Sequence, residues 1–188
     1  MKKDLAWFAL LGCLMMGAAH AAAPKGWFIN GPATDSYAIG SQPSTRAPGS
    51  QSAFIQSIKD NNGFGSLMQT IKADAYRGKR VRLSGFLSSK AAYKAGLWMR
   101  VDGPDRRILG FDNMDPRALH GDTDWNNYSI VLDVPADATD IAFGFLLEKN
   151  GEVLAEDFKL ETVGKDVPTT DLPRPELPAA PVNMSFTP

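Results

Sequence analysis

An aromatic ring, a guanidinium and a carboxylate occupy every second position of the short segment GLWMRVD. Trp98, Arg100 and Asp102 alternate there with apolar residues, so on a β-strand they would share one face. An aromatic ring can stack on the apolar face of a sugar, while charged groups bind its hydroxyls. The spacing predicts a saccharide-binding groove. The alternative is that Trp98 covers the sheet and Arg100–Asp102 is an exposed ion pair worth under about 1 kcal/mol.

A second polar pair, Asp112 and Asn113, follows shortly afterwards in GFDNMD. The pair lies at the predicted end of a strand, where loops gather and ligands bind. We predict that it closes one end of the groove, although Asp and Asn also cap turns through their own backbone. The small residues Ala142 and Gly144 would deepen the groove if their strand is next to that of Trp98.

Catalytic chemistry has little support in the sequence. His120 stands beside Asp122 and Asp124, but a hydrolase of that kind needs an aligned nucleophile. The chain has no G-x-S-x-G nucleophile motif, and His120 falls in a turn-like segment beside a glycine. We therefore predict that the protein is not an enzyme and assign no catalytic residue.

Metal and cofactor sites are also unsupported. From residue 22 onward the sequence contains no cysteine and a single histidine, which excludes thiolate sites and zinc sites with several histidines. The carboxylates Asp122, Asp124 and Asp157 could include a calcium ligand, but the DTD segment lacks the spacing of an EF-hand loop. The prediction is no cofactor, with one structural calcium ion as the alternative.

The N-terminal segment has the features of a secretory signal peptide. Lys2 and Lys3 precede an apolar run that is too short to span a bilayer, and the run ends in Ala19-His20-Ala21, an A-x-A cleavage pattern. We predict cleavage after residue 21, no transmembrane segment, and a periplasmic or secreted protein. A lipoprotein site at Cys13 is the alternative.

Charge argues against one class of partner. The chain carries a net charge of −1 at pH 7, and nucleic-acid-binding proteins have a basic surface instead. We predict no nucleic-acid partner.

We predict that the region 22–163 forms one all-β domain. Apolar residues alternate with polar or small ones in several segments, which is typical of a two-layer antiparallel β-sandwich. Trp125 is predicted to close one end of the sandwich. The alternating segments are 81–87, 97–101, 128–134 and 141–147, and weaker candidate strands are 26–30, 52–58 and 64–73.

The final segment, 164–188, has a different composition. Six of its 25 residues are proline and few are large and apolar, so it cannot bury enough surface to offset its ordering entropy. We predict a Pro-rich disordered tail after the domain.

Several blocks resemble a known family, among them YRGKRVRLSG, GDTDWNNYSIVLDVP and DFKLETVG. They resemble a β-sandwich module of bacterial proteins that are often labelled transcriptional regulators, frequently of the AraC type. Trp125-x-x-Tyr128 and the closing Asp157–Leu160 block are also similar to galactose-binding-like carbohydrate-binding modules. The resemblance implies a jelly roll and supplies no activity, because the module has no agreed ligand.

Three functions follow as hypotheses. The first is an exported, non-catalytic module that binds a saccharide or another polar small molecule through Trp98, Arg100, Asp102 and the Asp112–Asn113 pair. The second is a protein-interaction or structural domain of the cell envelope, with the Pro-rich tail as a tether or partner ligand. The third is a sensor domain associated with a transcriptional regulator. The sequence predicts neither the ligand's identity nor the oligomeric state.

Overall fold

The computed structural model describes residues 22–171 and 179–187 of the chain, and the predicted signal peptide lies outside them. The described residues form nine β-strands and three short 3-10 turns, at Thr34–Ser36, Pro104–Arg106 and Asp115–Arg117. The strands are β1 (Phe28–Asn30), β2 (Tyr37–Pro43), β3 (Gln51–Ser57), β4 (Phe64–Lys72), β5 (Arg80–Asp102), β6 (Ile108–Asp112), β7 (Leu119–Asp133), β8 (Asp140–Glu148) and β9 (Glu152–Val163).

The long strand β5 belongs to two layers. Its first part, 80–90, pairs with β7 and β9, and its last part, 94–102, pairs with β6 and β8. Layer 1 therefore runs β7-β5-β9-β3-β2, and layer 2 runs β6-β5-β8-β4-β1. All pairs are antiparallel, and the predicted all-β jelly-roll sandwich is confirmed.

A bend in β5 carries the chain from one layer to the other. Ala91 has a φ of 48°, and the register with β7 shifts three times between Leu87 and Ala95. The carboxylate of Asp122 accepts a hydrogen bond of 2.6 Å from the Ala91 amide and holds this left-handed residue in place. The two alternating segments 81–87 and 97–101 are thus the ends of one strand.

The core lies between the two layers and contains the residues that the alternation predicts. Because a strand presents every second side chain to one face, each strand buries an alternating set. Large side chains with under 2% exposure include Leu83, Leu87, Leu97, Met99, Ile130, Leu132, Ile141, Phe145 and Leu147.

Trp125 does not close the end of the sandwich, and this prediction was wrong. Trp125 lies where the register of β7 with β5 shifts, between Asn126 and Thr123, and it lines a surface hollow rather than the core. The half-buried Trp125 donates a hydrogen bond of 3.0 Å from Nε1 to Thr45 Oγ1. Trp27 packs against the core instead, edge to face, with its ring 5.5 Å from that of Phe158.

The segment that follows β9 lies along the edges of β7 and β6. The Thr170 amide donates to the Val131 carbonyl at 2.8 Å, and the Phe111 amide donates to Asp171 Oδ1 at 2.9 Å. Arg80 Nη1 donates to the Val167 carbonyl at 2.5 Å. The division of the chain into signal peptide, domain and disordered tail stays a prediction.

Candidate functional site

A groove of about 480 Å³ lies on the outer face of layer 2. We call it the outer groove, and its volume is in the range typical of small-molecule sites. Strands β4, β8 and β5 form its floor, β6 forms one wall, and the end of β1 forms the other. Its principal lining residues are Met68, Trp98, Arg100, Phe111, Asn113 and Leu146.

Strand register explains why these side chains meet. Trp98 pairs with Gly144 of β8, and Gly144 pairs with Met68 of β4. Cross-strand partners point to the same face of a sheet, so Trp98 and Met68 both face outward while Leu97 and Leu67 face the core. The predicted adjacency of the Trp98 strand and the Gly144 strand is present in the structure.

The Trp98 ring lies flat across the sheet. Its Nε1 donates a 2.6 Å hydrogen bond to Ser66 Oγ on β4, two strands away from β5. Ser66 in turn donates to the Phe145 carbonyl at 3.1 Å. The ring can cross β8 because Gly144 has no side chain, and Met68 and Ala142 pack beside it.

This position changes the role predicted for Trp98. We expected an exposed ring that forms a wall of the groove, but Trp98 is only 9% exposed and forms the floor. The physical reason is the hydrogen bond to Ser66, because a buried indole N–H needs a partner. The half-buried Phe111 and Leu146 pack against this floor and present apolar surface to the groove.

Arg100 and Asp102 form an ion pair along their own strand. Arg100 Nε lies 2.9 Å from Asp102 Oδ1, with the Arg100 side chain 41% exposed and that of Asp102 13% exposed. Arg100 lines the outer groove, whereas Asp102 lines a neighbouring hollow. The structure therefore brings Trp98 and Arg100 into one groove and places Asp102 just beyond it.

The side chains of Asp112 and Asn113 point in different directions at the end of β6. Asp112 pairs in register with the core-facing Met99, so its side chain points inward, where it is fully buried. It accepts hydrogen bonds of 2.7 Å from the Met114 amide and 2.6 Å from Arg117 Nη2. Asp112 thus stabilises a turn, which was the alternative interpretation, and it does not line the groove.

Asn113 does line the groove, at the wall formed by β6. Its Oδ1 accepts a 3.1 Å hydrogen bond from the Asp115 amide, which leaves its amide nitrogen available to a ligand. Of the five predicted site residues, Trp98, Arg100 and Asn113 share the outer groove.

One end of the outer groove carries charges that sequence reasoning missed. Lys94 hydrogen-bonds Asp115 and lies 3.5 Å from Glu148 Oε2. The hydrogen bond to Asp115 raises the pKa of Lys94, so this amine stays protonated at neutral pH. Phe64, which is 39% exposed, lines the groove nearby. Phe64, Glu148 and Lys94 meet because they pair across three strands, and such pairing leaves no signal in the sequence.

A second cavity, of about 500 Å³, opens beside Trp27. Its interior is built of core aromatic rings, including Phe143 and Phe158. The buried Glu156 there accepts hydrogen bonds from Ser52 Oγ at 2.6 Å and Arg46 Nε at 3.0 Å. Its carboxylate is therefore already occupied, whereas the outer groove presents the 41% exposed side chain of Arg100, and we take the outer groove as the candidate site.

His120 is exposed and does not line the outer groove. Its Nδ1 lies 2.5 Å from the Tyr93 carbonyl, so the imidazole contacts main chain. The carboxylate of the neighbouring Asp122 accepts a hydrogen bond from the Ala91 amide. These contacts hold the bend of β5.

Within residues 22–171 and 179–187, no three His, Cys, Asp or Glu side chains cluster in a way that could hold a metal ion. The calcium alternative for Asp122, Asp124 and Asp157 therefore gains no support, and the absence of a cofactor stays a prediction.

Among the described residues, the structure contains no helix with the length and apolar character needed to cross a membrane.

The chain is similar in sequence to YbfP of Bacillus subtilis (strain 168), described as an uncharacterized HTH-type transcriptional regulator. The two are 41% identical over 166 residues, which is 86% of this chain and 56% of YbfP. The chain thus spans little more than half the length of that relative. No protein-family model matches the chain.

The fold is similar to that of solved carbohydrate-binding modules. The CBM22-1 xylan-binding domain of Paenibacillus barcinonensis Xyn10C superposes with a TM-score of 0.55 at 12% identity, covering 77% of this chain and 90% of the module. The Clostridium thermocellum Xyn10B CBM22-1–GH10 modules, complexed with xylohexaose, give a TM-score of 0.54 at 10% identity, covering 74% of this chain and 26% of that one.

A bacteriophage CBA120 tailspike protein 4 enzymatically active domain also contains this fold. It gives a TM-score of 0.58 at 14% identity, covering 74% of this chain and 20% of that one. At such identities these likenesses establish the fold and leave the activity open. Both resemblances expected from the sequence, to a regulator-associated protein and to carbohydrate-binding jelly rolls, are confirmed.

Proposed function

We propose that the protein is an exported, non-catalytic module that binds a saccharide or a similar polar small molecule in the outer groove. The observation that carries the proposal is the combination of an apolar floor with polar groups at its margins. Trp98 and Leu146 supply the floor, and Arg100, Asn113 and Glu148 supply the polar groups. Such a mixture suits a sugar, which has apolar ring faces and a rim of hydroxyls.

The roles within the groove follow from exposure and hydrogen bonding. Phe111 and Leu146, rather than the covered Trp98, would contact the apolar face of a sugar ring. Arg100 has guanidinium nitrogens beyond the Nε that pairs with Asp102, and these can donate to hydroxyls. The Asn113 amide can donate at the wall formed by β6. The fold shared with xylan-binding modules supports the same ligand class.

The proposal is tested by calorimetric titration of the purified protein with neutral xylo-, cello-, manno- and galacto-oligosaccharides. Phe111→Ala is expected to weaken binding about tenfold, because it removes an aromatic contact worth about 1 kcal/mol or more. Arg100→Ala is expected to weaken binding by a similar factor through lost hydrogen bonds to hydroxyls.

Phe54→Ala is the matched control, since Phe54 is a half-buried outward ring on β3 of layer 1. It should leave binding unchanged while Phe111→Ala weakens it. Equal effects of both substitutions, or no binding of any of these sugars by the folded protein, would contradict a sugar site in the outer groove.

A second candidate function is a ligand-sensing domain associated with a transcriptional regulator. The 41% identity with YbfP favours it, and it requires the same groove to recognise a ligand. The two functions differ in location, because an exported protein acts outside the cytoplasm. Fractionation of the producing cells, with immunodetection of the protein, distinguishes them.

A further inference from the structure

A second hollow, of about 430 Å³, continues the outer groove beyond Arg100. Thr70, Asp102 and Thr139 are among its lining residues, and Arg100 lines both spaces. Both hollows lie on the outer face of layer 2 and adjoin at Arg100, and we call the two together the depression. We call this second space the far hollow.

Strand register places only small side chains beside Arg100, between the two spaces. Arg100 pairs with Ala142 of β8, and Ala142 pairs with Thr70 of β4. Two small side chains therefore stand beside Arg100 across the sheet. The Arg100 side chain itself turns along β5 toward Asp102, with Nε 2.9 Å from Oδ1, and so does not bridge the depression.

The depression is long for a single sugar ring. It follows β5 from Lys94 to Asp102, and eight strand steps correspond to roughly 27 Å. Chain-like ligands fill such a shape, whereas a monosaccharide would occupy one part of it and leave the remaining lining exposed.

Charge pairing within the depression favours an uncharged ligand. Lys94 is neutralised by Asp115 and Glu148, and Arg100 is neutralised by Asp102. An acidic sugar would have to compete with these carboxylates for the same cations, and the far hollow is lined by three carboxylates and only two guanidinium groups. Hydroxyl groups, in contrast, can use the remaining N–H donors and carboxylate oxygens without breaking either pair.

We propose that the outer groove and the far hollow together bind one extended, uncharged oligosaccharide that lies along β5, with Arg100 at its middle. This inference rests on the proposed function and adds the length and charge of the ligand. The far hollow then acts as an additional set of contacts that only the longer chains reach.

The test is a chain-length series of xylo-oligosaccharides and of cello-oligosaccharides, from one to six units, titrated calorimetrically into the full chain. Affinity is expected to rise at least tenfold from the disaccharide to the tetrasaccharide in the series that binds. A tenfold rise corresponds to about 1.4 kcal/mol, which the extra contacts in the far hollow would supply.

Thr70→Tyr fills the far hollow, since Thr70 is exposed on the outer face of β4. It is expected to weaken the hexasaccharide about tenfold, to the level of the disaccharide, and to leave disaccharide binding unchanged. Thr162→Tyr, at an exposed position on β9 of layer 1, is the matched control and should change neither.

Two results would overturn the inference while leaving the proposed function intact. One is equal affinity for the monosaccharide and the hexasaccharide; the other is equal weakening of all lengths by Thr70→Tyr. A third result, preference for uronic-acid oligomers of matched length, would overturn the inferred absence of charge. Absence of any binding by the folded protein would remove both the inference and the sugar-binding proposal.

Discussion

Asp133 forms ion pairs with two cations, Arg80 and Lys165. The hydrogen bonds from Arg80, at 2.9 and 3.0 Å, lower the pKa of Asp133 from 3.8 to about 2, and Lys165 adds to the effect. A carboxyl whose folded-state pKa is lowered stabilises the fold above the pKa of the unfolded chain. Its contribution is therefore complete above about pH 5 and is lost as the pH falls from about 4 toward 2.

Asp133→Asn is expected to lower the stability at pH 6 and to make little difference at pH 2. The measurement is the urea midpoint of both proteins at several pH values between 6 and 2. Lys165→Gln, which removes the second cation, should give a smaller change with the same pH dependence. A difference between wild type and Asp133→Asn that stays constant over this range would show that Asp133 acts through packing rather than charge.

Among the strands, the close approach of β4 to β8 depends on one glycine. A Cβ on Gly144 would lie 2.2 Å from the Leu67 carbonyl oxygen and 2.8 Å from the Met68 Cα, and both atoms are main chain. Because backbone cannot move aside as a side chain can, Gly144→Ala should separate the two strands. We expect a loss of about 1–3 kcal/mol in the free energy of unfolding, together with distortion of the outer groove.

Gly110→Ala is the matched control for this change. Gly110 is also a buried strand glycine, on β6, but the nearest atom to its Cβ would be Leu132 Cδ1 at 3.6 Å, an ordinary contact. Its substitution should be neutral or slightly stabilising, because alanine reduces the entropy of the unfolded chain. Equal destabilisation by both substitutions in urea unfolding would contradict the close-approach argument.

The sequence predicts faces within strands better than contacts between them. Period-two alternation placed Leu97 and Met99 in the core and Arg100 on the outer face, because each strand obeys this rule locally. The positions of Asp112 and Phe111 depend on the register of β6 with β5, and Leu146 enters the site through the β4–β8 pairing. Such non-local pairings leave no periodic signal, which is why Phe111, Leu146 and Lys94 were missed.

Burial of Trp98 could not be predicted for a related reason. The chain shows that Trp98 is on the outer face, but its acceptor Ser66 is 32 positions away in sequence. Only the strand order β4-β8-β5 brings the two within 2.6 Å. The sequence could therefore predict that Trp98 faces outward. It could not predict that the Trp98 ring is buried as the floor of the groove.

At the scale of the molecule, the chain is a jelly roll that spans 56% of a protein described as a transcriptional regulator. The described residues, 22–171 and 179–187, form strands and three single-turn 3-10 helices, so a DNA-reading helix pair is not among them. The sequence likeness to that protein and the fold likeness to carbohydrate-binding modules therefore concern the same jelly roll.

The segment from Lys165 to Asp171 closes the edges of both layers, and its removal should affect the whole domain. It pairs with Val131 of β7 and Phe111 of β6 and accepts hydrogen bonds from Arg80. Truncation after Val163 would expose these edges, which can pair with other chains. We expect it to lower the free energy of unfolding by about 1–3 kcal/mol, because it leaves the Phe111 amide and the Arg80 guanidinium without these partners.

Truncation after Asp171 is the matched control, because it removes most of the Pro-rich segment and keeps every one of these contacts. It should match the full chain in urea unfolding and in size-exclusion chromatography with light scattering, whereas truncation after Val163 should also promote association. Identical stability of the two truncated proteins would mean that the segment lies on the domain without supporting it. In that case, something other than this segment would have to keep the edges of β6 and β7 from pairing with other chains.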